Sequence, residues 1–342
     1  MKMTPSLTKK SIYILCTGGT IAMQKTSEGY AAKPGYMIEA MKKIPELNNQ
    51  DMPHYTIEEY EQPIDSANMT PDDWEKIGSS ILANYDKHDA FVVLHGTDTM
   101  AYTASALSFM FNHLNKPIIL TGSQLPLFET RNDARENLIN AMLIASHYAI
   151  PEVCIFFNNK LFRGNRSKKM DASSFSAFAS PNFPALGKVG TDILIRKQLL
   201  QPLHDEKIFL QSLVKTVIIS LKMFPGMSHD ILAKILQAPL QAVVIETYGL
   251  GTATEDENFL KVIQSASDSG IIIVNCSQCA TAKVKMSTYA AGNALKNAGV
   301  ISGGDMTSEA ALAKLFYLFS LKISLSEIKS RMQENLRGEL TI

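Results

Sequence analysis

Two short segments hold most of the residues able to do chemistry: Thr17-Gly18-Gly19-Thr20-Ile21-Ala22 and His95-Gly96-Thr97-Asp98-Thr99. A threonine hydroxyl is a weak nucleophile at neutral pH and reacts once a neighbouring base activates it. Thr20 and Thr97 supply two such hydroxyls, as nucleophiles or as groups that position water. Asp98 adds a charge able to bind an ammonium group or orient a catalytic base. Paired glycines let the backbone turn sharply and bring N–H groups close to a ligand. A small molecule carrying a carboxylate is favoured where a helix N-terminus leaves such N–H groups unpaired. Each segment alone also has a plainer reading: Gly-Gly after a strand is a common turn, and Thr97-Asp98-Thr99 can cap a helix and do nothing else. A phosphate-binding turn fits less well, because Gly-x-Gly-x-x-Gly and Gly-x-x-x-x-Gly-Lys-Ser/Thr are both absent. Two such segments in one chain, each after a strand, favour a shared site over two independent turns.

The elements that must position them are legible as short apolar runs rich in β-branched residues: Ser11–Cys16, Phe91–Leu94, Pro117–Leu120, Val153–Phe157, Thr216–Leu221, Ala242–Glu246 and Ile271–Asn275. Continuous hydrophobicity over so few residues fits strands buried on both faces. Between them lie helical patterns. Thr70-Pro71-Asp72-Asp73 is a helix start, with a hydroxyl cap, proline at the first position and acids in the first turn. Thr99–Leu114, Asn132–Ser146 and Ser308–Phe319 carry apolar faces, and Ser324-Leu-Ser-Glu327 reads as a capping box. Strand alternating with helix predicts an α/β protein with mostly parallel sheets. In open sheets of this kind ligands bind at the carboxyl ends of strands, where both threonine segments fall.

A chain of 342 residues exceeds the size at which one core usually stops growing, so two domains are expected. The rhythm breaks between about Gly187 and Val214, where charges scatter around Pro202 without a helix period. We read residues 1–190 as the larger N-terminal domain, 191–213 as a connection with room for a small hairpin, and 214–342 as a smaller α/β domain. Lys plus Arg and Asp plus Glu both total 33, so no net field draws the chain to nucleic acid or to an anionic membrane. No segment approaches the roughly 20 apolar residues that span a bilayer. The apolar run Ile12–Cys16 is short for a signal peptide and lacks a cleavage site, so a cytoplasmic location and reduced cysteines are expected. Cys276-Ser-Gln-Cys279 is a single CxxC. With no second CxxC or HxxxH pair to complete about four zinc ligands, it predicts no metal site.

The two threonine motifs, with Leu120-Thr-Gly-Ser-Gln-Leu-Pro126, Phe156–Arg166 and Glu334–Thr341, strongly resemble the bacterial type I (cytoplasmic) L-asparaginases, nearly end to end. The resemblance implies hydrolysis of L-asparagine to L-aspartate and ammonia, weaker action on glutamine, and no metal or organic cofactor. It implies that Thr20 is the nucleophile that attacks the side-chain amide and forms an acyl-enzyme. Tyr30 then sits on a mobile loop, residues 23–35, that closes to activate or orient it. Thr97, Asp98 and Lys169 form a second catalytic cluster. Ser66 grips the substrate α-carboxylate and Asp98 holds its α-ammonium. Lys168 is the adjacent competitor of Lys169, and His95 is expected to pack rather than to catalyse. The resemblance further implies a homodimer or homotetramer. Thr252 departs from the family pattern: an asparagine is common there, at a position that reaches the active site of a neighbouring subunit. Two other readings compete: an amidotransferase subunit that releases ammonia for a transfer-RNA-dependent partner, and an amino-acid sensor that has lost the chemistry.

Overall fold

The protein is described by a computed structural model over residues 9–27 and 29–341. It divides into two α/β units: one holds the described residues through Ser180 together with Ala185–Leu210, and the other holds Pro181–Pro184 with the described residues from Gln211 onward.

In the first unit β1 (Ser11–Gly18) leads through a 3-10 turn, Thr20–Ala22, into β2 (Met23–Thr26) and β3 (Gly29–Ala32). Then come α1 (Tyr36–Lys42), β4 (His54–Ile64), α2 (Pro71–Ala83), β5 (Ala90–Leu94), α3 (Met100–Met110), β6 (Phe111–Asn112), β7 (Ile118–Thr121), α4 (Ala134–His147), β8 (Val153–Phe157) and β9 (Lys160–Arg163). Short pieces follow: β10 (Lys168–Lys169), β11 (Phe178–Ala179), β12 (Gly187–Val189), β13 (Ile193–Ile195) and β14 (Phe209–Leu210). One eight-stranded sheet takes the order β13-β12-β9-β8-β7-β5-β1-β4. Its β4, β1, β5, β7 and β8 run parallel, with Ile14 opposite both Ile57 and Val92, while β9, β12 and β13 add an antiparallel edge.

Burial explains the sequence pattern. Every residue of β5, β7 and β8 is buried, so apolar side chains face helices on both sides of the sheet. The start of α2 is fixed as its sequence predicts: the Asp73 carboxylate accepts from the Thr70 N–H at 2.8 Å and the Thr70 hydroxyl at 2.7 Å. The fold differs from the expected plan in two places. β4 was not anticipated, because it is a half-exposed edge strand that carries Glu58, Glu59 and Glu61. The stretch expected to connect the domains instead folds onto the first unit as far as Leu210. Its hairpin β12–β13 extends the sheet, and β14 pairs with β6.

In the second unit β15 (Ile218–Lys222), α5 (His229–Ile235), β16 (Ala242–Thr247), α6 (Glu257–Asp268), β17 (Ile272–Ser277), α7 (Ala290–Asn297) and β18 (Ile301–Ser302) form a four-stranded parallel sheet with helices. Val243, Ile245, Ile273, Phe259 and Ile263 lie in its core. α8 (Ser308–Ser320) and α9 (Leu325–Met332) complete it, and α9 opens on the expected capping box: the Glu327 N–H donates to Ser324 Oγ at 3.2 Å, and the Ser324 N–H donates back to Glu327 Oε2 at 3.4 Å. Lys314 of α8 is fully buried. Its ammonium meets the equally buried Glu339 at 2.5 Å and donates to the Met332 and Glu334 carbonyls. Glu339 also accepts from the Leu336 and Arg337 N–H groups. Among the described residues no helix is long and apolar enough to cross a membrane.

Candidate active site

The carboxyl ends of β1, β4 and β5 meet at glycines. Gly19 has φ +82°, and a Cβ added there would lie 2.4 Å from both N and Cα of Gly96, so the two motif backbones touch with no room for a side chain. A Cβ on Gly96 would in turn lie 2.5 Å from Ser66 Oγ. The next residues along the two motifs, Thr20 and Thr97, flank this contact. Ser66, buried at the start of a 3-10 turn after β4, packs against Gly96. Its carbonyl accepts from the Thr99 hydroxyl at 2.7 Å, which ties the two loops together.

Lys169 closes the cluster. Its side chain, 17% exposed, donates from Nζ to Thr97 Oγ1 at 2.8 Å and to Asp98 Oδ1 at 2.7 Å. β10 holds it there, with Lys169 opposite Phe178 of β11. Lys169, not its neighbour Lys168, makes these contacts. The Thr97 hydroxyl donates onward to Gln124 Oε1 at 3.3 Å, and Gln124 Nε2 donates to the Ser174 carbonyl. Asp133 holds the Gln124 loop by accepting from the Gln124 and Leu125 N–H groups at 3.0–3.1 Å. Thr97 is buried while Asp98 is largely exposed, so the cluster presents a buried hydroxyl beside an accessible carboxylate.

Two side chains of the first motifs are structural. The Thr17 hydroxyl donates to the Leu94 carbonyl at 3.0 Å and locks β1 to β5. His95 is fully buried, with Nδ1 2.6 Å from the Gly96 carbonyl and Nε2 2.9 Å from the Thr103 hydroxyl. A proton on Nδ1 and an accepting Nε2 satisfy both partners. Burial holds the ring neutral and pushes its pKa down to about 4, against a smaller opposing effect of the Gly96 carbonyl.

Tyr30 lies on β3, in a hairpin packed against the Thr20–Ala22 turn, so the polar loop expected at residues 23–35 is partly ordered as strands. Its hydroxyl donates to Glu129 Oε1 at 2.8 Å, and its ring lies against Phe128. That hydrogen bond is the main cause of a raised Tyr30 pKa. Gln124 and Glu129 are the site neighbours that residue-by-residue reading passes over. Gln124 belongs to a motif that the sequence shows but gives no role, and Glu129 lies in a loop with no local signal.

Family models describe both parts of the chain: "Asparaginase, N-terminal" matches residues 11–201 and "Glutaminase/Asparaginase C-terminal domain" matches residues 217–332. The chain is 47% identical to L-asparaginase 1 of Escherichia coli (strain K12), over 97% of this chain and 98% of that protein. Among solved structures it resembles L-asparaginase I from Vibrio cholerae O1, at 46% identity and a TM-score of 0.91, covering 98% of this chain and 100% of the other. The thermostable L-asparaginase from Thermococcus kodakarensis gives a TM-score of 0.87 at 31% identity, over 97% and 99% of the two chains. Two adjoining domain models, a nearly full-length relative and the same fold throughout agree with the threonine–lysine–aspartate cluster: the chain belongs to the asparaginase family.

Proposed function

We propose that this protein hydrolyses L-asparagine to L-aspartate and ammonia with Thr20 as nucleophile. The observation that carries the reading is Lys169 Nζ, which joins the Thr97 hydroxyl to Asp98 beside the close contact of Gly19 with Gly96. A free amino acid needs a donor for its carboxylate and an acid for its ammonium. Ser66 supplies the first, and Asp98, with one oxygen held by Lys169, offers its other oxygen for the second. In the first half-reaction Thr20 Oγ bonds to the side-chain amide carbon, the C–N bond breaks, and the hydroxyl proton leaves with the amine as ammonia. Tyr30 on the adjacent hairpin helps orient or activate that hydroxyl. In the second half, water adds to the ester, Thr20 regains its proton and aspartate departs. Thr97 with Lys169 positions and activates the attacking oxygen.

Ammonia release by purified protein, with glutamine and D-asparagine in parallel, tests this reading. Asparagine is expected to be turned over fastest and glutamine more slowly. Thr20→Ala and Thr97→Ala are each expected to lower kcat by at least about 10³-fold with an unchanged circular dichroism spectrum. Full activity in either variant, or asparagine binding without ammonia release by the wild type, would overturn it. The working form is a cytoplasmic homodimer or homotetramer, so analytical ultracentrifugation under assay conditions is expected to show no active monomer.

A further inference from the structure

Among the histidines the site does not use, two are brought together by the fold. His113 follows β6, and His204 and Glu206 lie in the stretch that precedes β14. One ligand atom from each of the three lies within 4.8 Å of the other two. We propose that His113, His204 and Glu206 form a site for Zn²⁺, or a divalent transition ion of the same class, that staples the 204–210 segment to the first unit.

Two of the separations match those of a tetrahedral site. With metal–ligand bonds of about 2.0–2.2 Å, two ligand atoms at the tetrahedral angle stand about 3.4 Å apart. His113 Nδ1 lies 3.4 Å from Glu206 Oε2. Yet this nitrogen is buried and makes no hydrogen bond. That separation is the one an ion bonded to both atoms requires. Two imidazoles that share such a metal place their ring centroids about 5.2 Å apart. The rings of His113 and His204 are 5.3 Å apart at 82°. Phe209 packs against His113 at 5.8 Å and limits its rotation.

The backbone under the three ligands is fixed. Asn115 Nδ2 donates to the His204 carbonyl at 2.7 Å, and the His204 N–H donates to Asn115 Oδ1 at 2.8 Å, across 89 positions of sequence. Pairing of β6 with β14 closes the other side. Two imidazoles and a carboxylate suit zinc or its transition-metal neighbours and not Mg²⁺ or Ca²⁺, which take oxygen ligands. Three protein ligands leave the fourth position to water on the exposed Glu206 side. The role is structural, because none of the three belongs to the threonine–lysine cluster.

The test uses protein without a polyhistidine tag, stripped with a chelator, desalted and then titrated with Co²⁺ alone and Zn²⁺ alone. One equivalent of Co²⁺ per chain with the visible absorption of four-coordinate cobalt is expected, and Zn²⁺ should raise Tm. His204→Ala should weaken binding at least about 10-fold and remove the Tm shift. Glu206→Gln should do the same from an exposed position, which keeps the test open if His113→Ala fails to fold. His147→Ala, an exposed histidine elsewhere, should change nothing. Absence of stoichiometric binding, or equal binding and Tm shifts in wild type, His204→Ala and Glu206→Gln, overturns the proposal.

Discussion

His95 shows how one residue can matter to the site without taking part in its chemistry. The folded state keeps its ring neutral down to about pH 4, whereas the unfolded chain takes up the proton near 6.5. Between those values the unfolded state binds more protons, so stability rises with pH through this window and is lost as pH falls. The depressed pKa corresponds to about 3 kcal/mol, all of it present above pH 6.5. Urea unfolding at several pH values should therefore show a steeper acid decline for the wild type than for His95→Gln. Parallel declines would mean that other groups carry the acid sensitivity. Lys169 shows the opposite case, a side chain whose worth lies in what it touches. Its three-atom junction with Thr97 and Asp98 depends on a pair in β10 that its sequence, Ser-Lys-Lys-Met, does not announce. Thr20, Thr97 and Asp98 could be found in the chain because each sits in a compact motif. Gln124 and Glu129 could not be given roles, because their partners are Thr97 and Tyr30, reached by folding and not by spacing.

The elements bring the motifs together through backbone and not through side chains. β1 and β5 are adjacent parallel strands, so their carboxyl ends arrive side by side, and the glycines let the chains approach to contact. Gly19→Ala combines a left-handed backbone, at about 1–3 kcal/mol of strain, with a collision against Gly96. We expect a lower urea midpoint and a loss of activity larger than the stability change explains. Activity within about 2-fold of wild type would show that the two loops can part without harm. The central strands were legible because continuous apolar runs have few other destinations. β4 was hidden by its acidic, half-exposed face; a small hairpin was expected near β12 and β13, but strands of three residues each gave no sign that they would join the sheet. Short edge strands gain their stability from a neighbour already in place, and a linear pattern carries no record of that neighbour.

At the scale of the whole molecule, the two units share one device, an ion pair enclosed by the core. The first is a sheet buried between helices. It holds a buried charge pair, Arg163 with Glu152 at 2.6 Å, and the second unit holds another, Lys314 with Glu339. Removing one partner leaves an uncompensated charge with nowhere to go. Glu339→Gln is therefore expected to cost about 3–5 kcal/mol in denaturant unfolding of the second unit, whereas a double replacement by apolar residues of similar volume should recover much of the loss. Equal stability of the single variant and wild type would contradict this. The position of Glu339 also bears on truncation. A chain cut before residue 332 keeps α8 but leaves its buried cation with neither counter-charge nor carbonyl acceptors. The second unit of such a fragment is expected to stay loosely packed and to be cut quickly by proteases.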